Sequence, residues 1–253
     1  MNRVAWDMKY TGPRLIQLRT TPEANPHIWE ESRFRGKDSR PITHWGMSTE
    51  QPGPLVAPGK FTVKLTVDGQ SQTQPLEIVK DPRLPTSDAD LERTVKLQLR
   101  IRDDVSKVSD MVNTIEWDRR QFETLEKRLS EEKDPALLKQ VKDMDNKMQE
   151  VEYQLLSKDL TTSDDKYYVS AYKLYYQLLW LNGEVGPGAG DVAGGDDFAP
   201  TETSGELLNE IEQQLAASQQ QYQALMSKEL PAFNRAMLEK GITPVPTVAT
   251  GQE

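Results

Sequence analysis

Residues 53–80 read GPLVAPGKFTVKLTVDGQSQTQPLEIVK. Pro58-Gly59 is a turn pair, proline presetting φ and glycine free to take positive φ. Phe61, Val63, Leu65 and Val67 then alternate with Thr62, Lys64 and Thr66. A period of two makes one face apolar and the other wet. Asp68-Gly69 is the two-residue signal of a type I′ hairpin turn. The return strand, residues 72–79, sets Leu76 and Ile78 on the apolar face. Pro75 cannot donate to a ladder, which places this strand at an edge or at a bulge. A lone hairpin is marginal in water, so it calls for more sheet or a helical cover.

Upstream, Val4, Trp6, Met8 and Tyr10 alternate with polar residues, and the spacing predicts a first strand over 1–10. Whether Met1 is a chain start, a processing point or an internal residue stays open; no apolar signal region follows it. Residues 13–57 are irregular and contain Trp29, Phe34 and Trp45. A structureless loop of that length is uncommon inside a compact domain. It is expected either to wrap over the sheet, anchored by Ile28-Trp29 and His44-Trp45, or to need a missing partner. Its basic run, Arg33, Arg35, Lys37 and Arg40, suits phosphate or acidic protein; a solvated or internally paired run is the favoured reading.

Downstream the pattern turns helical. The prolines of the 81–85 junction bar helix and central strand alike, and Thr86 or Ser87 caps a helix with Asp88 and Asp90 in its first turn. Three-and-four spacing runs from Leu91 to about Leu129, interrupted by Arg119. Asp134-Pro135 opens a second helix with a stripe from Leu137 through Val141, Met144, Met148, Val151 and Leu155. A short connection makes the two antiparallel neighbours. A third helix is expected from a cap at 162–164 to about Leu181, rich in aromatics: Tyr167, Tyr168, Tyr172, Tyr175, Tyr176 and Trp180. Tyrosines at helical spacing are more often core, with a partner surface as the second reading. Residues 184–201 read as a flexible acidic, Gly-rich linker. A fourth helix should run to about Lys240 with an irregularity at Pro231, before a disordered tail over 243–253.

The expected fold class is α+β: a small Ig-like antiparallel β-sandwich over 1–83, then an all-α domain over 84–242, a four-helix bundle or long helical hairpins. The 253 residues carry a net charge of −9, spread unevenly. Residues 1–83 hold 12 Lys and Arg against 9 Asp and Glu, the remainder 19 against 31. An acidic helical part repels phosphates and argues against nucleic acid. No apolar run is long enough to span a membrane. Without cysteine, disulfides, thiol catalysis and zinc-thiolate sites are excluded.

Other motifs are weak. Gly188-x-Gly190-x-x-Ala193 follows a helix and precedes linker, the wrong context for a dinucleotide loop. Asp143-x-Asp145-x-Lys147 resembles a calcium loop, but Met148 stands where glycine is needed. Asp191, Asp196 and Asp197 suit solvent better than calcium. His27 and His44 have neither cysteine nor a His-x-x-x-His spacing beside them. No catalytic residue, cofactor or metal ligand is therefore assigned. The candidate residues form a possible partner surface: Trp29, Trp45, Arg33, Arg35, Tyr168, Tyr172, Tyr175, Tyr176 and Trp180.

NRVAWDMKY, then the 53–83 hairpin and junction, then a helix containing LQLRIRDDVSKVSDMVN, resembles the C-terminal region of bacterial BNR-repeat, sortilin-like (VPS10-type) β-propeller proteins, often labelled glycosyl hydrolase or sialidase-like. The likeness covers roughly residues 1–130. It implies an Ig-like sandwich and helices that follow a propeller, and export beyond the cytoplasm (periplasmic or secreted). It transfers no catalytic residue, because no blade repeat or Asp-box is present. The expected function is a non-catalytic protein–protein interaction or accessory module docking on a β-propeller or a larger extracytoplasmic assembly. The alternative is an accessory part of a carbohydrate-active enzyme that assists glycan binding through Trp29 or Trp45. Self-association through the helices is a third reading.

Overall fold

The computed structural model describes residues 3–42, 51–132, 134–162, 171–189 and 192–246. It is dominated by helix, and among the described residues the expected sandwich does not form. Strand β1 (Gly59–Val67) pairs in register with β2 (Gln70–Ile78) as a two-stranded antiparallel sheet. A second sheet consists of β3 (Gly188–Ala189) and β4 (Val192–Ala193) alone. The predicted first strand makes one bridge, Lys9 to Leu55. Tyr10 N donates to the Pro54 carbonyl and Val56 N to the Met8 carbonyl, each at 2.9 Å. Continuing that register sets Tyr10 opposite Pro54 and Trp6 opposite Pro58. Both prolines then occupy hydrogen-bonding positions and lack the N–H the ladder requires. Two prolines thus limit the sheet to a hairpin.

Helix α1 (Asp88–Glu132), 45 residues long, is the axis of the molecule. At 1.5 Å per residue it extends ~67 Å. Helix α2 (Pro135–Leu155) folds back along its C-terminal half, started by Asp134, whose side chain accepts from Leu137 N at 2.9 Å. After a 3-10 turn at Lys158–Thr161, α3 (Leu174–Val185) covers the N-terminal half of α1. Helix α4 (Glu202–Ala224) then runs parallel to α1. Arg100 meets Asn209 and Glu212 near its start, and Ser218 and Gln221 meet Gln154 further on. A π-turn, Leu225–Glu229, leads directly into α5 (Leu230–Leu238) and is the irregularity expected at Pro231. The chain therefore forms three rods: α1, the broken α2–α3, and α4–α5. A four-helix bundle is not what the contacts describe.

Two apolar clusters fill the rods. One joins Ile16, Leu18 and Ile42 to the Leu97–Val112 face of α1, α3 and α4. The other joins Ile115, Phe122 and Leu129 to α2, Leu230, Met237 and Ile242.

The irregular segment is a strap laid along α1, not a cover for the sheet. Arg14 N donates to Ser106 Oγ, Gln17 N to Asn113 Oδ1, Thr20 N to Glu116 Oε2 and Thr21 N to Glu123 Oε1. Asn113 Nδ2 returns a bond to the Leu15 carbonyl. Residues 106, 113, 116 and 123 share one helix face. The strap gains ~33 Å between residues 11 and 21 in extended form, and α1 gains ~32 Å between residues 102 and 123. Matched lengths let a strand-like chain satisfy its backbone on helix side chains, where a sheet would otherwise be needed.

The segment read as a flexible linker is packed. Thr94 Oγ1 donates to the Phe198 carbonyl at 2.7 Å and Thr86 Oγ1 to the Asp197 carbonyl at 2.5 Å, tying it to the start of α1. At Gly194, an added Cβ would run into the backbone of Gly186–Gly188.

Candidate functional site

The hairpin stands clear of the helical body. Its turn adopts positive φ at Asp68 (50°) and Gly69 (78°), the type I′ geometry that the sequence signals. A two-residue turn makes Val67↔Gln70 a hydrogen-bonded pair, so Thr62↔Pro75 falls on a non-bonded pair. Pro75 therefore faces the outer edge, where its missing N–H costs the ladder nothing and disfavours a further strand on the β2 side. On the wet face Thr66 and Ser71 hydroxyls meet at 2.8 Å. On the other face Val63, Leu65 and Val67 are 52%, 61% and 57% exposed. Opposite them stand Gln74, Gln72 and Gln70, so the apolar column sits beside an amide column. Trp6, half exposed, meets Phe61 edge-on with ring centroids 6.2 Å apart, and Val4, Met8 and Leu55 extend the exposed apolar surface. Scattered surface leucines are ordinary, but an exposed apolar column of this kind is the sort of surface that marks a contact site.

A second feature lies inside the body. Arg119, the residue that breaks the apolar stripe of α1, reaches Asp145 through Nε at 2.8 Å and Glu152 through Nη1 at 2.6 Å, with Glu116 at 3.5 Å. Glu116 and Glu152 are fully buried. Glu116 also accepts from Thr20 Oγ1 at 2.7 Å and from Arg19 N, which ties the strap to this node. Burial works against the Arg119 charge, but Glu152, Asp145 and Glu116 outweigh it and hold its pKa above the ordinary value. Burial, reinforced by Glu116 and opposed by Arg119, pushes the Glu152 carboxyl up to about 8. Arg40, also buried, is pushed down to about 10 by burial and stays charged at neutral pH.

Above the node opens a polar cleft of about 470 Å³ lined by Thr20, Glu123, Glu126, Lys142, Tyr153 and Lys158, among others. Burial raises the Glu123 and Glu126 carboxyls. Some of the charges in the lining are paired: Lys158 with Glu23 at 3.3 Å, and Glu123 with Arg120 at 2.6 Å. Among the described residues no three His, Cys, Asp or Glu side chains are grouped to hold a metal ion. The node is joinery between α1, α2 and the strap.

Of the sequence-predicted surface residues, Trp45 and Tyr168 lie outside the described residues. Tyr175 and Tyr176 are core, and Tyr172 and Trp180 pack against that same core, Tyr172 stacked on Tyr176 at 5.6 Å. Trp29 donates its indole N–H to Thr21 Oγ1, with the guanidiniums of Arg40 and Arg120 at 5.9 and 5.4 Å from its ring. Those cations occupy faces that a sugar would need. Arg33 pairs with Glu31 and sits over Phe34; Arg35 donates to the Glu30 carbonyl. Tyr172, Tyr175, Tyr176 and Trp180 are brought together, but in the core and not as a surface. The exposed hairpin residues were missed as a surface because alternation alone does not say whether an apolar face is covered. Arg119 was visible as an interruption, but its partners 26 and 33 residues away were not.

No protein-family model, no curated protein and no solved structure matches this chain.

Proposed function

We propose that this protein is a non-catalytic interaction module whose helical body presents the hairpin to a protein partner. The observation that carries this reading is the uncovered column Val63, Leu65 and Val67 on a hairpin that packs on little but itself. A two-stranded sheet with half its apolar face in water gains from being covered. By the resemblance of residues 1–130, the partner is a β-propeller protein or a larger assembly beyond the cytoplasm, and the basic charge excess of the first 83 residues would face it.

A photo-crosslinking amino acid in place of Leu65 tests this in the native cell, with Leu207 on α4, also exposed, as the control position. One adduct of discrete mass is expected at 65 and not at 207. Adducts that do not differ between the two positions, or turnover of a glycoside by the purified chain that one carboxylate substitution abolishes, would sink the reading. The triple variant V63T/L65T/V67T should lose the adduct. Its melting temperature should move by no more than roughly 6 °C, because three exposed substitutions at about 0.5 kcal/mol each cost within about 1.5 kcal/mol.

A further inference from the structure

The two edges of the hairpin are not equivalent. Because Val67↔Gln70 is a hydrogen-bonded pair, Phe61, Val63, Leu65 and Val67 turn their backbone N–H and C=O groups toward β2. Lys60, Thr62, Lys64 and Thr66 turn theirs outward. On β2 the outward positions are Ser71, Thr73, Pro75 and Glu77, so a proline stands within that edge. The edge of β1 contains no proline. Thr62, Lys64 and Thr66 are exposed, and among the described residues their outward backbone groups have no partner. The N-terminal segment leaves this edge free. Its pairing ends at Lys9↔Leu55, Met8 takes φ 60°, and among the described residues no backbone bond joins residues 3–7 to β1. An open edge of this kind is a template for another strand.

Side chains narrow the choice of strand. On the apolar face Val63, Leu65 and Val67 run along the open edge, with the glutamines of β2 on their far side. On the wet face β1 carries two lysines and no acid. Lys60 stands opposite Glu77, which offsets it. Lys64 stands opposite Thr73 and makes no ion pair among the described residues. A second copy of this chain complements the edge poorly. Antiparallel pairing of two β1 edges sets the lysines of both copies on one face of one short ladder, where like charges repel. The β2 edge of a second copy is no better, because Pro75 lacks the N–H that the ladder needs. Charge and backbone together call for a foreign strand with carboxylates on its wet face.

We propose that the outer edge of β1 takes up an extended segment of the partner protein as a third strand, one that alternates apolar with acidic residues. Its apolar side chains continue the column of Val63 and Leu65, and a carboxylate faces Lys64. The inference rests on the reading of the hairpin as a docking element and adds how the partner is held. Main-chain bonds to Thr62, Lys64 and Thr66 supply the attachment, and the alternating side chains select the sequence. Pro75 on the far edge stops the sheet from growing further.

The test keeps the photo-crosslinking amino acid at position 65 of the full chain in the native cell and compares adduct yields among variants. Lys64→Pro removes an outward N–H of β1 and spares the bonds between β1 and β2. Thr73→Pro, directly across the hairpin, does the same on the other edge and controls for strain. Lys64→Glu keeps the N–H and reverses the charge. Lys64→Pro should lower the yield at least fivefold and Lys64→Glu at least threefold, while Thr73→Pro leaves it within twofold. The hairpin of each purified variant is checked by exchange of the Val63 amide, which bonds to β2, and Thr62→Pro serves if Lys64→Pro opens it. A yield indifferent to Lys64→Pro, or lowered equally by Lys64→Pro and Thr73→Pro, overturns strand addition and leaves the apolar face standing as the docking surface. A yield unchanged or raised by Lys64→Glu overturns the acidic partner strand. An adduct of twice the mass of this chain identifies a second copy and overturns the proposal as well. No adduct at 65 in the chain otherwise unchanged sinks the docking reading itself, and strand addition with it.

Discussion

Arg119 joins three parts of the chain through one guanidinium, and its removal should be costly. Arg119→Ala leaves Glu116, Glu152 and Asp145 facing one another in a buried space, a loss on the order of 3–5 kcal/mol, readable by urea denaturation. Arg119→Lys keeps the charge but cannot fork between Asp145 and Glu152, so it should fall between the two. Asp118 poses the opposite problem. It is buried, neither carboxyl oxygen has a hydrogen-bond partner among the described residues, and burial pushes its pKa up to about 7. Below about pH 4 both folded and unfolded chains hold this proton; between about 4 and 7 only the folded chain does. Stability should therefore fall as pH rises across that window and level off above it. Asp118→Asn should flatten the fall, measured as unfolding free energy at pH 5 and pH 8. Part of the slope will survive, because Glu152, Glu123 and Glu126 are raised as well.

At the scale of elements, the strap depends on side chains that it did not supply. Asn113→Ala removes a donor and an acceptor from the 15–17 stretch. Each such bond is worth about 1 kcal/mol, so amide exchange at Gln17 should speed up roughly tenfold while amides within α2 keep their protection. The first two helices were legible because their signals are local: Asp134-Pro135 starts α2, and the α2 stripe from Leu137 to Leu155 is buried as its spacing requires; the third, expected from a cap at 162–164, begins only at Leu174, after the non-helical residues 171–173. The hairpin was legible for the same reason, down to its turn. The strap was not, since nothing in 13–21 is periodic; its order comes from residues about 95 positions later. The sandwich was an over-extension. Alternation at Val4, Trp6, Met8 and Tyr10 was real, but Pro54 and Pro58 on the facing segment deny it a ladder. The linker misled through composition: Gly186, Gly194 and Gly195 sit against neighbouring backbone or side chains with no room for a Cβ.

For the whole molecule, the three rods and the strap place the hairpin at one end of a long axis. Residues 8–10 bond to 54–56, β2 leads through the 81–85 junction into α1, and the strap starts alongside that same region. Whatever holds the hairpin thus holds the N-terminal ends of α1 and of the strap together. The parallel run of strap and helix has a mechanical consequence. Tension between residue 9 and residue 132 would slide one along the other, loading the bonds at Ser106, Asn113, Glu116 and Glu123 at the same moment. Tension applied at residue 24 against residue 123 would undo them one by one, from Thr21 backwards. Optical-tweezer traces should show a single high-force rupture in the first geometry and a low, stepwise release in the second. A chain built this way resists being drawn out along its length while yielding readily to a sideways pull.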